Sequence, residues 1–237
     1  MRLLDLTLPS AAENLALDEA LLVAAEEGTG GEVLRFWEQP TYAVVVGSGG
    51  SVGIDVNLSA CEADGVPVLR RSSGGGTVLL GPGCLCFTLV LNYTHAPGLN
   101  EIPASNRYIL ARVAKALAPA VACSREGTSD LAVAGVKFSG NAQQRKRAHF
   151  LHHGTLLCGF DLPLVSKYLN PPERQPDYRR DRPHAEFIAN LPLGIAEAKW
   201  LLAAEWRPEG DYGRPPWVKV GELIAEKYSR DDWNRRR

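Results

Sequence analysis

The sequence predicts an α+β fold, a mixed and largely antiparallel sheet flanked by helices. Two observations predict it. Strand-like and helix-like runs interleave without the regular βαβ alternation of a doubly wound sheet. The strand-like runs are short, and glycine or proline separates them. With 237 residues, 45% hydrophobic and 22% charged, the chain can bury a core without disulfides or metals.

Residues 3–7 read as a strand. Ser10 or Glu13 then opens a helix with Leu15, Leu17, Leu21, Leu22 and Val23 on its apolar face, stopped by glycines at 28–31. Residues 33–37 and 42–47 are strands split by Gln39-Pro40, and 67–71 is another. A glycine-rich loop at 73–76 precedes an apolar strand at 85–92. An amphipathic helix at 106–117 follows, then strands at 130–133 and 136–138 around Ala134-Gly135, and a His-rich strand at 149–158. Residues 162–169 read as a helix ended by Asn170-Pro171-Pro172, and 173–183 as an exposed polar loop. Helices at 194–204 and 220–228 flank a Pro-rich turn at 214–217.

A formal charge of −1, from 26 basic and 27 acidic side chains, argues for neither nucleic acid nor membrane as a partner. No apolar run reaches the roughly 18 residues a membrane span needs. No signal-peptide pattern is present, so a cytoplasmic protein is expected. The five cysteines are scattered without a CxxC pair, which disfavours a zinc site or a disulfide framework. Most of them read as small buried hydrophobes.

Three segments carry chemistry. In the first, Arg70-Arg71-Ser72-Ser73-Gly74-Gly75-Gly76-Thr77-Val78 runs on to Gly81-Pro82-Gly83. Consecutive glycines let backbone N–H groups approach an anion closely, and arginine grips phosphate or carboxylate at two points. Without a following Gly-Lys-Ser/Thr it is not a Walker A loop, and without a long helix after it it is not a dinucleotide fingerprint. A tight hairpin whose glycines serve only the turn is the plainer alternative.

In the second, Asp130 and Leu131 precede Val136-Lys137-Phe138-Ser139-Gly140-Asn141-Ala142. A strand lysine facing a pocket can contact phosphate and carbonyl oxygens together; one facing solvent does nothing special. Residues 139–142 read as a small polar turn leaving room for a ligand, and 144–147 as a solvated loop, with an edge for docking an acidic partner protein as the alternative. In the third, His152-His153-Gly154-Thr155 has no further ligand at metal spacing, so its histidines are expected to hydrogen-bond or pack beside a pocket.

In this order the segments resemble the lipoate–protein ligase A family, within the biotin/lipoate ligase and octanoyltransferase superfamily. The pattern Arg-Arg-x-Ser-Gly-Gly-Gly, Asp-Leu, Lys-x-Ser-Gly-x-Ala and His-His-Gly-Thr-Leu-Leu is matched at 70–76, 130–131, 137–142 and 152–157. The resemblance implies a two-step reaction: ATP and lipoate or octanoate form an acyl-adenylate, and a lysine of a lipoyl-domain carrier then takes the acyl group. The carrier would be a glycine cleavage H protein or a 2-oxoacid dehydrogenase E2. Lys137 would be catalytic. Residues 70, 71, 73–78, 81, 83, 130, 139, 140, 142, 153 and 154 would bind the substrates, with Asp130 on Mg²⁺. Val44, Val68 and Leu156 are expected to line the acyl slot.

The resemblance also implies one catalytic domain, its motif core about 13–193. Residues 194–237 then form a helical extension too short for the longer ligases' accessory domain, so a separate accessory polypeptide is a candidate partner. Gly81-Pro82-Gly83-Cys84-Leu85 resembles the octanoyltransferase branch instead. The runner-up is therefore an ATP-independent transferase working through a cysteine thioester, with Cys123 as the candidate nucleophile. Cys123 otherwise reads as a buried strand cysteine and Cys158 as packing. A non-catalytic acyl-nucleotide binding module is the third reading.

Overall fold

The computed structural model describes residues 1–236. In chain order its main elements are β1 (Arg2–Asp5), α1 (Ala11–Glu26), β2 (Val33–Glu38), β3 (Ala43–Val46), α2 (Val52–Asp55), α3 (Leu58–Ala63), β4 (Val68–Arg70), β5 (Val78–Leu80), β6 (Cys84–Asn92), α4 (Ile102–Leu117), β7 (Ser124–Glu126), β8 (Asp130–Val133), β9 (Val136–Arg145), β10 (His149–Leu157), α5 (Pro163–Tyr168), α6 (His184–Phe187), α7 (Ile195–Trp206), α8 (Trp217–Leu223) and α9 (Asp231–Asn234). A π-helical turn, Ile224–Tyr228, continues α8.

Among the described residues seven strands pair in the order β1-β2-β6-β10-β9-β8-β7, and three more in the order β4-β3-β5. Only the β1–β2 and β3–β4 pairs are parallel, so the sheets are mixed and mostly antiparallel as the sequence predicts. The large sheet is covered on both faces. Val33, Trp37, Cys84, Cys86 and Val90 pack with α1 and the small sheet. Their neighbours Leu34, Phe36, Leu85, Phe87 and Leu89 pack with α4 and α7 on the other side. A strand buried on two faces needs no polar alternation, which is why β6 reads as an unbroken apolar run.

Helix α1 begins with a capping box between Ser10 and Glu13. It is buried on nearly every side, its polar Asn14, Asp18 and Glu19 included. Asp18 and Asn14 hold the fully buried Arg35 of β2, and Thr88 of β6 donates to Asp18.

Three expectations change. The polar stretch 139–142 is not a turn but the middle of β9, because Ala142 and Asn141 pair with His153 and Gly154 of β10. Gln144 and Arg145 also belong to β9 rather than to a solvated loop; Arg145 lies over the Tyr93 and Phe150 rings and donates to the Leu99 carbonyl at 2.6 Å. The polar loop at 173–183 holds a 3-10 turn, Asp177–Arg179, whose Arg179 is buried over Phe187. No helix among the described residues is long and apolar enough to cross a membrane.

Candidate active site

A bulge aims Lys137. Asp130 pairs with Gly140 and Leu131 with Ser139, but Ala132 pairs with Lys137, a one-residue slip in the ladder. Side chains alternate along a strand, so Lys137 and Gly140 would otherwise point to opposite faces. The slip puts Lys137 on the face of Asp130 and Gly140 and sends Phe138 into the core. Lys137 Nζ then lies 2.8 Å from Asp130 Oδ1. A Cβ on Gly140 would sit 3.1 Å from that nitrogen, so glycine leaves the ammonium its place. Tyr178 donates to the other carboxylate oxygen, Oδ2, at 2.7 Å. Burial and that carboxylate raise the Tyr178 hydroxyl well above its ordinary range.

Opposite stands the glycine-rich loop, and its two arginines part company. Arg71 is buried beneath it and donates to the carbonyls of Val45, Gly74 and Gly76 and to Ser73 Oγ. Among the described residues no carboxylate ion-pairs with it, and burial lowers its pKa to about 10. A buried cation satisfied only by neutral oxygens leaves positive charge beneath the loop, which favours an anion nearby. Arg70 turns the other way, donating to the carbonyls of Gly47, Gly50, Trp233 and Arg236. Gly75 has φ of +85°, which glycine adopts at little cost. A Cβ on Gly47 would overlap the Gly75 carbonyl oxygen, so the loop packs directly on β3's exit.

His153 joins the two walls. Its Nε2 is 2.6 Å from Ser73 Oγ and its Nδ1 is 3.4 Å from Asp18 Oδ2. The Asp18 carboxylate can only accept, so a neutral His153 donates to it from Nδ1 and accepts at Nε2 from the Ser73 hydroxyl, which in turn accepts from Arg71. Burial alone would raise Asp18, but Arg35 and His153 hold it below its ordinary value. His152 is fully buried, between Asn141 Oδ1 and Gln143 Nε2, and burial drops its pKa to about 3. Gly154 makes room for Asn141, whose Oδ1 would overlap a Cβ placed there.

One cavity of about 170 Å³ gathers Lys137, Asp130, Gly140, Ala142, His153 and Gly154 from the strands with Arg71, Gly75, Gly76, Thr77 and Val78 from the loop. Its apolar end is Leu15, Trp37, Val45, Leu80 and Cys86. A second cavity of about 800 Å³ shares Gly75, Gly76, Thr77, Asp130 and Lys137, adds Ser139, and extends to Arg179, His184 and Phe187. The other expected site residues lie off both cavities. Ser73 is buried behind the loop, Gly74 lines neither cavity, Gly81 packs on the Tyr42 ring, and Gly83, at φ +82°, packs on the Gly159 carbonyl. Val44, Val68 and Leu156, expected along an apolar slot, line neither cavity; Val45 and its neighbours line the apolar end instead, and alternation turns Val44 away from it. Sequence reading missed Asp18, Trp37, Asn141 and Tyr178. The first two sat in motifs read only as helix and strand.

Three of the cysteines are poor nucleophiles as placed. Cys86 lines the smaller cavity, but burial and a hydrogen bond with Cys84 push its thiol well above the ordinary range. Cys123 is half-buried in the lead-in to β7, not in a strand, lines neither cavity, and is also raised by burial. Cys158 is buried and raised to about 12, in keeping with packing.

The family model of the lipoyl protein ligase A/B catalytic domain matches residues 10–193. A probable lipoate-protein ligase A of Mycoplasma pneumoniae is 36% identical over 157 residues, covering 66% of this chain and 45% of that protein, so the chain spans under half of its length. The octanoyltransferase LipM of Symbiobacterium thermophilum is 28% identical along 100% of this chain and 98% of its own. A solved lipoate-protein ligase A bound with ATP superposes with a TM-score of 0.82 at 24% identity, covering 99% of this chain and 98% of that one; at that identity the likeness speaks for the fold. By the span of the family match and the placement of its motifs, the chain belongs to the lipoyl protein ligase A/B catalytic-domain family.

Proposed function

We propose that this chain activates lipoate or octanoate with ATP and passes the acyl group to a lysine of a lipoyl-domain carrier. The observation that carries this reading is Lys137 sharing both cavities with Gly75 and Gly76, with no activated thiolate beside it. The apolar slot ending at Trp37 and Cys86 suits an acyl chain, and the larger cavity has room for a nucleotide.

In the first step a carboxylate oxygen of the acid attacks the α-phosphorus and pyrophosphate leaves. The backbone N–H groups of the loop and the Lys137 ammonium stabilise the charge that builds on the α-phosphoryl oxygens. In the second step the carrier's neutral amine attacks the acyl carbonyl, the bond to AMP breaks, and the amine loses a proton. Lys137 can reach phosphate and carbonyl oxygen together, so one cation serves both steps.

The donor set fits a Mg²⁺ held mostly by phosphates. Asp130 is a single carboxylate shared with Lys137 and Tyr178, and no cluster of three or more metal-ligating side chains occurs among the described residues. Mg²⁺ commonly takes one or two carboxylates and completes its shell with water and phosphate, where it neutralises charge.

The whole-length match to an octanoyltransferase supports a second reading, transfer from an acyl carrier without ATP, for which Cys123 is the sequence's candidate nucleophile although it lines neither cavity. Intact mass of an apo lipoyl domain separates the two. Product that needs Mg²⁺-ATP and survives Cys123→Ala supports the ligase; product formed from octanoyl carrier without ATP and lost in Cys123→Ala supports the transferase. An H protein and an E2 lipoyl domain tested side by side identify the carrier. Product that appears only when a separate accessory polypeptide is added would explain a dependence on a second chain.

A further inference from the structure

The family match ends at residue 193, yet a helix forty residues later grips the glycine-rich loop's root. At Arg70, the last residue of β4, both main-chain hydrogen-bonding groups go to α9. Asn234 Oδ1 accepts from the Arg70 N–H at 3.0 Å, and the Trp233 indole N–H donates to the Arg70 carbonyl at 2.8 Å. Two side chains thus continue the edge of the small sheet as a further strand would. The Arg70 guanidinium answers by donating to the Trp233 carbonyl at 3.1 Å and the Arg236 carbonyl at 2.6 Å, and on its far side to Gly47 and Gly50.

The grip is itself anchored. Lys227 and Arg236 lie over the Trp233 ring, 4.2 and 3.9 Å from its centroid. Asn234 is 4% exposed and donates to the Tyr228 carbonyl. Tyr228 and Lys227 bind Glu19 of α1 at 2.6 and 2.8 Å. Arg236 also donates to the Ser48 carbonyl, while the Ser48 N–H donates to Ser73 of the loop. A buried amide with both ends satisfied, on a four-residue helix outside the family match, is ordered by this contact rather than by the helix's own length.

We propose that Trp233 and Asn234 are positioning residues that fix the register of residues 70–76, so that ligand binding at the glycine-rich loop depends on a helix outside the family match. They touch no substrate; they act through Arg70 and the loop 47–50.

The test has two arms, and only the second rests on the proposed activity. Hydrogen exchange compares the wild type with Asn234→Ala, with Trp233→Phe, which keeps an aromatic ring but loses the N–H, and with Arg235→Ala on the same helix as control. Amides of residues 70–78 should exchange about tenfold faster in the first two and unchanged in the control, with β6 and β10 unaltered. In the kinetic arm Asn234→Ala should raise KM for ATP about tenfold and leave kcat within about threefold, a loss of ground-state affinity. Faster exchange confined to residues 224–236, or equally spread through the fold, overturns the proposal, as does an unchanged KM. If Asn234→Ala fails to fold, Trp233→Phe decides by the same pattern. A wild type without adenylation removes the proposed activity, and the exchange pattern alone then decides whether α9 sets the loop.

Discussion

The strands β8 and β9 hold Asp130 and Lys137 through main-chain ladders, whereas the loop facing them, residues 71–77, is held mainly through side chains, with main-chain ties at Arg71 and Ser73. The strand wall keeps its geometry for as long as the sheet stands. The loop wall relies on Arg71, which holds the carbonyls of Gly74 and Gly76, and on Arg70, which holds those of Gly47 and Gly50. The difference locates adaptability on the side that would close around phosphate in the proposed reaction, and rigidity on the side that supplies the cation.

The largest effect should fall on the loop wall. Arg71→Ala removes the guanidinium donor from three carbonyls and leaves Ser73 Oγ with His153 alone, and each buried carbonyl left unpaired costs about 1–3 kcal/mol. We expect activity below detection and a loss of several kcal/mol in urea unfolding. Arg71→Lys should recover little, because an ammonium cannot fork to the same acceptors. Activity close to wild type in either variant would mean the loop holds itself.

Acid should act on the strand wall instead. Burial lowers His152 from 6.5 to about 3, so the unfolded chain takes up a proton between those values and the native chain does not. Stability then falls as pH drops from 6.5 toward 3, at about 1.4 kcal/mol per pH unit from this group. His152→Gln should flatten that slope between pH 6.5 and 5 in denaturant titrations. Equal slopes would show that His152 is protonated in the native state.

A smaller effect tests the bulge. Gly140→Ala brings a methyl group within 3.1 Å of Lys137 Nζ, so the flexible side chain must shift. We expect kcat to fall about tenfold with little change in melting temperature, since the displaced group is an aimed cation rather than core. A melting temperature that falls as steeply as kcat would assign Gly140 to the fold instead.

The smallest contrast lies within the loop. Gly75→Ala forces φ of +85° on a Cβ-bearing residue and should cost about 1–2 kcal/mol, whereas Gly74→Ala meets open space and should cost less than about 0.5 kcal/mol. Equal costs at both positions would imply that the loop relaxes freely.

Much of this was legible in the sequence, for identifiable reasons. Three glycines after two arginines cannot be packed as core, and a charged residue between Val136 and Phe138 had to point somewhere polar. The mixed sheet followed from the lack of βαβ alternation. What stayed hidden depended on pairing across distance. The slip opposite Leu131 and Ala132 that turns Lys137 inward leaves no mark on local composition. The same holds for the strand through Ser139-Gly140-Asn141-Ala142, which looks like a turn until β10 satisfies it. Arg70 and Arg71 are indistinguishable by type; a one-residue alternation at the end of β4 sends one to the cavity and the other to α9. Asp18 was invisible because helix α1 is buried all round, so no polar face marked it.

The role of Lys137 can be read from the intact mass of an apo lipoyl domain incubated with lipoate or octanoate, Mg²⁺-ATP and either the wild type or Lys137→Ala. An ammonium that stabilises charge at the α-phosphate and carbonyl predicts that the wild type adds one acyl group, and that the variant, folded and with a melting temperature near the wild type's, is slower by about a thousandfold. Acylation by Lys137→Ala at the wild-type rate would contradict it, and would move the chemistry away from the cavity that the glycine-rich loop and β9 share.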